Sequence, residues 1–324
     1  MVIRKAVITA AGRGVRLYPV ADPVQKSMLP LTDRDGLTKP VIQIIIEEAL
    51  ESGIEEVCLV CAPGDEDRYR EQLNLHRENY LAGYPGEDWA RDQAARLENI
   101  LKRLSFAVQE EPLGYGHAVH CAKDFVGEER FLLMLGDHVY LSDVPGERCA
   151  QQLIHLAVKE NCAVAAVNPT REHLVRHYGT LGGKRVADLP GVYEIERILE
   201  KPSLSLAESE LQTPGLRAGH YLCLFGMHVL PHRVFALLEE VMSGEAPAGG
   251  YQLTPALQEL AQREKYLAAE LRGARHDIGA PFGLMLTQIA LGMAGIERDT
   301  MLSGIVELMA DAGRRRKSTG GAEQ

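Results

Sequence analysis

The run Lys5-Ala6-Val7-Ile8-Thr9-Ala10-Ala11-Gly12-Arg13-Gly14 decides the fold. A short apolar stretch that enters a glycine-rich turn suits a buried parallel strand, which is covered on both faces and so reads as nearly continuous hydrophobics. Downstream, Val41, Ile44, Ile45 and Ala49 recur at helix spacing between Pro40 and Ser52, with Gly53 as a stop. Glu56 to Ala62 is strand-like again and is closed by Pro63 and Gly64. Strand, helix and strand in about 60 residues predict a right-handed βαβ unit.

The pattern continues outward. A highly charged stretch over 65–103 ends as a helix near Leu104, and Ser105–Gln109 reads as a third strand. Gly116–Lys123 predicts a short helix, and Arg130–Leu135 a buried strand that ends at Gly136-Asp137. A helix over 147–160 and a strand at Cys162–Asn168 follow. Shorter strands are expected at Tyr178–Gly182, Tyr193–Glu200 and Gly219–Met227, then helices at Pro231–Met242, Thr254–Arg263 and Pro281–Ala294. The fold class is therefore α/β, a Rossmann-like three-layer arrangement with a mostly parallel mixed sheet between helices. No linker forces a domain cut, so residues 1–312 read as one domain; the tail 313–324, basic and then small and polar, is expected to be disordered.

Composition narrows the partners. The chain has 324 residues, 46% hydrophobic and 25% charged, with a formal net charge of −10. That balance argues against a general nucleic-acid or anionic-membrane binder, which needs a basic face. No apolar run has the roughly 18 residues of a membrane helix, and Ala6–Ala11 is too short for a signal peptide. Six cysteines in a chain this size are no disulfide framework. The expectation is a cytoplasmic protein. Against the negative total, residues 1–40 hold seven basic side chains (Arg4, Lys5, Arg13, Arg16, Lys26, Arg34, Lys39) and three acidic ones (Asp22, Asp33, Asp35). A small anionic ligand near the N-terminus would explain that surplus.

The loop after the first strand is neither of the common phosphate motifs. Gly12-x-Gly14 lacks the third glycine of the dinucleotide fingerprint, at Leu17, and no Gly-Lys-Ser/Thr follows. What remains is a glycine turn with Arg13, Arg16 and Lys26 close behind, able to grip a polyphosphate through backbone amides and fixed cations.

From Ala11 to Pro30 the sequence resembles the signature of the sugar nucleotidyltransferases, and most of all bacterial UTP–glucose-1-phosphate uridylyltransferases. Further resemblances follow in order: Gln109 with Gly114-Tyr115-Gly116-His117-Ala118, Leu135-Gly136-Asp137, Tyr178-Gly179, Glu200-Lys201-Pro202, Gln252-Leu253-Thr254 and His276-Asp277-Ile278-Gly279. The resemblance implies transfer of a uridylyl group from UTP to glucose 1-phosphate with Mg²⁺, releasing pyrophosphate. It implies a nucleotide-binding part over about 1–140, a sugar-binding and helical part over about 141–312, and a homodimer or homotetramer. Ala10, Ala11, Gly12, Gly14 and Arg16 would cradle the triphosphate, with Lys26 opposite. Gln109 would read the uracil edge beside the Gly114 backbone and His117, with Gly116 leaving room for the base. Asp137 and Asp277, the latter in a loop before the Pro281 helix, would bind the metal. Gly179, Glu200, Lys201 and Tyr221, the last facing the pocket, would hold the sugar phosphate.

Several positions depart from that pattern. Val15 stands where the family has Thr, Gln25 where it has Pro, and Ser27 where it has Glu or Gln; His138 replaces a small apolar residue, and Gly249-Gly250-Tyr251 an acidic pair. These leave open the same chemistry on another nucleotide or sugar phosphate, or a non-catalytic sugar-nucleotide-binding role. Cys58 and Cys61, three apart on a strand, point to opposite faces and read as core rather than a redox or zinc pair. His117 with His120, and His228 with His232, read as core or surface histidines.

Overall fold

The computed structural model describes residues 2–12 and 25–319, with side chains to Asp311. In chain order the strands are β1 (Lys5–Thr9), β2 (Pro30–Thr32), β3 (Thr38–Pro40), β4 (Glu56–Cys61), β5 (Leu104–Val108), β6 (Phe131–Leu135), β7 (His138–Ser142), β8 (Ala163–Arg171), β9 (Thr180–Arg185), β10 (Val192–Leu199), β11 (His220–Leu230), β12 (Tyr266–Glu270) and β13 (Gly273–Asp277). Nine of them form one sheet in the order β5-β4-β1-β6-β11-β8-β12-β10-β9. Parallel pairing joins β5, β4, β1 and β6, and separately β8 with β12; the remaining pairings are antiparallel. The sheet is therefore mixed, and the expected parallel majority holds only for the N-terminal half, where βαβ connections dictate it.

Alternation along the central strands feeds two cores. Ala6, Ile8, Val57, Leu59, Leu132 and Met134 pack on one face, and Val7, Cys58, Val60, Phe131 and Leu133 on the other. The first face is covered by α1 (Val41–Leu50), α2 (Asp65–Gly83), α3 (Asp88–Arg103) and α6 (Cys149–Glu160) through Ile42, Ile45, Tyr69, Leu97 and Leu153. The second is covered by α4 (Tyr115–His120), α8 (Val234–Met242) and α9 (Thr254–Arg263) through Val119, Leu238 and Leu257. Helix, sheet and helix make three layers. Cys58 and Cys61 fall in opposite cores, and burial pushes both thiols up to about 12. His228 is likewise a core residue, its Nδ1 2.9 Å from the Tyr266 hydroxyl.

Two short ribbons lie off the main sheet. β2 pairs with β3, and its hairpin is pinned to α1 by the buried Lys39 ammonium, which donates to Asp33 at 2.9 Å and to Glu47 at 3.1 Å. β7 pairs antiparallel with β13, so Asp277 ends a strand rather than sitting in the expected loop. After α10 (Gly283–Ala294), α11 runs Arg298–Thr319, so helix covers residues 313–319 of the tail expected to be disordered.

Candidate active site

The C-terminal ends of β1, β4, β5 and β6 open on a cavity of about 720 Å³. Strand ends of an open α/β sheet form such a crevice because the covering helices diverge there. Ala10, Ala11 and Gly12 border it beyond β1, Gln109 beyond β5 and Asp137 beyond β6, with Lys26 from a 3-10 turn at Lys26–Met28. Gly136 keeps two strands close, since a Cβ there would lie 2.8 Å from the Thr9 carbonyl oxygen. Gly14 and Arg16, expected in the phosphate cradle, lie outside the described residues.

Asp137 is the electrostatic centre. Lys26 Nζ donates to its Oδ2 at 2.5 Å, and His138 Nδ1 lies 2.7 Å from its Oδ1. Burial opposes ionisation, but the hydrogen bond and charge of His138 and the Lys26 ammonium outweigh it, holding the carboxyl well below the usual carboxylate range. Asp277 joins through the ribbon: it is directly opposite His138 in the β7–β13 register, and Ile278 N–H donates to the Asp137 carbonyl at 3.0 Å. Donor atoms of Asp137, His138 and Asp277 lie within 4.8 Å of one another, a set able to hold a divalent cation. Tyr115, also on the cavity, has its hydroxyl pushed up by burial and by the Asp137 charge.

Gln109 is buried at the other end of the cavity. Its Nε2 donates to the Gly114 carbonyl at 3.1 Å and lies 3.0 Å from His117 Nδ1. The carbonyl can only accept, so the amide orientation is fixed. Burial and His120 lower the His117 pKa, favouring the neutral ring that accepts at Nδ1. Both amide hydrogens are thereby used, and among the described residues Oε1 has no partner. Gly114 adopts φ +111°, and a Cβ on it would meet the Tyr251 carbonyl oxygen at 2.5 Å. A Cβ on Gly116 would lie 2.8 Å from the Gln252 carbonyl oxygen, so this glycine lets the neighbouring chain pack close. Tyr251 N–H donates to Leu113 at 2.7 Å and Gly116 N–H to Tyr251 at 2.8 Å, lacing the two segments together. Gly249 and Gly250, read only as departures, take positive φ there.

Glu200 ends β10. Thr254 Oγ1 donates to its Oε2 at 2.5 Å, and Lys201 Nζ lies 3.4 Å from its Oε1. Lys201 has φ +43°, unusual for a non-glycine residue, and its N–H donates to the Tyr178 carbonyl at 3.2 Å. A Cβ on Gly179 would stand 3.5 Å from Glu200 Oε2 and 2.8 Å from the Leu224 side chain, so the backbone approaches the carboxylate closely. Tyr221 does not join this group. It is buried with Val175, Ala207, Leu211 and Cys223 in a separate cluster, correcting its expected place facing the pocket. Nearby Arg275 stacks on Tyr178, 4.6 Å from the ring centroid, and donates to the Leu224 carbonyl at 2.9 Å.

Sequence reasoning gave no role to Thr254, Tyr115 or His138. Thr254 lay inside a quoted motif, and His138 was visible only as a departure.

The family model described as Nucleotidyl transferase matches residues 5–288. The chain belongs to the nucleotidyl transferase family. Among its relatives, the UTP–glucose-1-phosphate uridylyltransferase YngB of Bacillus subtilis (strain 168) is 33% identical over 308 residues, spanning 94% of this chain and 95% of that one. A UTP–glucose-1-phosphate uridylyltransferase of Streptococcus pneumoniae is 34% identical over 295 residues, 89% of each chain. A UDP-glucose pyrophosphorylase solved with UDP-glucose superposes with a TM-score of 0.71 at 27% identity, covering 89% of this chain and 98% of that one.

Proposed function

We propose that this chain transfers the uridylyl group of UTP to glucose 1-phosphate. A phosphate oxygen of the sugar attacks the α-phosphorus, the bond to the β-phosphate oxygen breaks, and pyrophosphate leaves. No covalent enzyme intermediate is needed, so the protein's task is to align the reactants and neutralise charge.

Gln109 carries the reading. Its unspent group is the carbonyl oxygen Oε1, which accepts the N3–H of uracil; cytosine presents an acceptor at N3 and would leave two acceptors facing. The names of the relatives support the same base and sugar. Lys26, already at Asp137 on the cavity wall, supplies a cation to the phosphates alongside Arg16 and the amides of Ala11, Gly12 and Gly14. Glu200, held by Thr254, accepts from sugar hydroxyls, while Lys201 neutralises the sugar phosphate. Asp137 and Asp277 offer the few carboxylate oxygens that a Mg²⁺ ion carrying triphosphate would use. Such an ion, when bound, neutralises phosphate charge and polarises the α-phosphate.

The absence of any described helix long and apolar enough to cross a membrane fits a cytoplasmic enzyme of small anionic substrates. Exposed Phe282, Ile296, Leu308 and Met309, on and beside α10 and α11, support self-association as a dimer or tetramer, which light scattering measures.

A matrix of UTP, dTTP, CTP and ATP against several sugar 1-phosphates, read by pyrophosphate release, tests the reading. UTP with glucose 1-phosphate should give the highest turnover, with CTP at least tenfold poorer. Equal use of CTP, or turnover only with another pair, would overturn it.

A further inference from the structure

We propose that His138 is itself a ligand of the cation held between Asp137 and Asp277, and that its imidazole turns this site toward Mn²⁺ or Co²⁺ in preference to Mg²⁺. The proposal rests on the metal role assigned above to the two aspartates and concerns what the third residue adds.

Register places the histidine. His138 is directly opposite Asp277 in the antiparallel β7–β13 ribbon, and such cross-strand neighbours project on the same face with Cβ atoms about 5 Å apart. Asp137 immediately precedes it, and its carbonyl is tied to the Ile278 amide at 3.0 Å, which locks the strand ends together. One ligand atom from each residue lies within 4.8 Å of the other two. Neighbouring ligands of one ion at about 2.1 Å are about 3 Å apart, so the three side chains would draw together to share an ion.

The ring is placed to take that part. His138 is only 6% exposed, so its imidazole is fixed rather than solvated. Nδ1 lies 2.7 Å from Asp137 Oδ1, close to the about 3 Å that separates neighbouring ligand atoms of one ion, so an ion held there takes the place of that hydrogen bond.

Chemistry then sets the preference. Two carboxylates alone form a hard oxygen site suited to Mg²⁺, which sheds water reluctantly. A nitrogen ligand raises affinity for divalent ions of the first transition row relative to Mg²⁺, least for Mn²⁺ and more for Co²⁺.

The test uses the full chain with UTP and metal. Electron spin-echo modulation on bound Mn²⁺ should show imidazole nitrogen coupling in the parent protein; its absence overturns the proposal without any variant. In equilibrium titrations H138N, which keeps a donor near the Nδ1 position but has no ring, should bind Mn²⁺ about tenfold or more weakly while its Mg²⁺ affinity changes less than about threefold. Parental Mn²⁺ affinity in H138N with loss only in H138A would make His138 a positioning residue for Asp137 and overturn the ligand claim. D137A should lose both metals. If D137A keeps parental affinity for both, the metal role of the aspartates fails, a result distinct from failure of the histidine claim.

Discussion

Replacing Gly114 by alanine tests how the cavity is held. Gly114 sits at φ +111° and ψ 173°, a region open essentially to glycine, and an alanine there costs about 1–3 kcal/mol in backbone strain. Its methyl carbon would fall 2.5 Å from the Tyr251 carbonyl oxygen and 2.6 Å from its nitrogen. Both are backbone atoms, so no side chain can swing aside and the 249–252 segment must move. That motion breaks the bonds between Tyr251 and Leu113 and between Gly116 and Tyr251, each contributing about 1 kcal/mol. The sum is about 3–5 kcal/mol, or a Tm lowered by roughly 6–12 °C for a chain of this size. Gly53→Ala is the control: φ is +94° but no atom lies within 4 Å of its Cβ, so strain alone acts and Tm should fall by about 2–6 °C, less than in Gly114→Ala. Because the Gly114 carbonyl holds the Gln109 amide, KM for UTP should also rise about fivefold to tenfold, with that for the sugar phosphate little changed. Differential scanning fluorimetry and initial rates read both effects. Equal Tm losses in the two variants, or an unchanged KM for UTP in Gly114→Ala, would refute the reasoning.

Three further outcomes follow. Lys39→Met leaves Asp33 and Glu47 buried beside each other without their cation and should cost about 3–5 kcal/mol in urea unfolding; a loss under about 1 kcal/mol contradicts the network. Glu48 is buried and its carboxyl is pushed up to about 7 by desolvation. The folded state therefore binds the proton more tightly than the unfolded chain, so stability falls as pH rises from about 4.5 through 7, by up to about 3 kcal/mol, and Glu48→Gln should flatten that slope. Thr254→Val removes the donor to Glu200 and should raise KM for glucose 1-phosphate about threefold to tenfold with KM for UTP unchanged, in steady-state kinetics.

What was legible in the sequence follows from range. β1, β4 and β6 are buried on both faces, so their apolar runs announce them locally, whereas Asp137 just beyond β6 was singled out by the resemblance that Leu135-Gly136-Asp137 carries. The β7–β13 ribbon was not legible. β13 is Gly-Ala-Arg-His-Asp, half-buried throughout, with no alternation, and it pairs with a strand some 135 residues away. Missing it hid the pairing of His138 with Asp277. The packing of Gly116 against Gln252 was not legible either, because a glycine's neighbour cannot be read from its own position. Tyr221 has the alternation of a strand residue, but the face it joins is set by the packing of Ala207 and Leu211.

The central claim is uridylyl transfer at the end of β6, dependent on Asp137. Phosphorus NMR of the purified protein with UTP, glucose 1-phosphate and Mg²⁺ or Mn²⁺ tests it most directly, because both products are resolved. The account predicts equal amounts of UDP-glucose and pyrophosphate from the parent, and a rate lowered at least about a thousandfold, roughly 4 kcal/mol in barrier, in Asp137→Ala. No product from the parent, or parental turnover in Asp137→Ala, would contradict it.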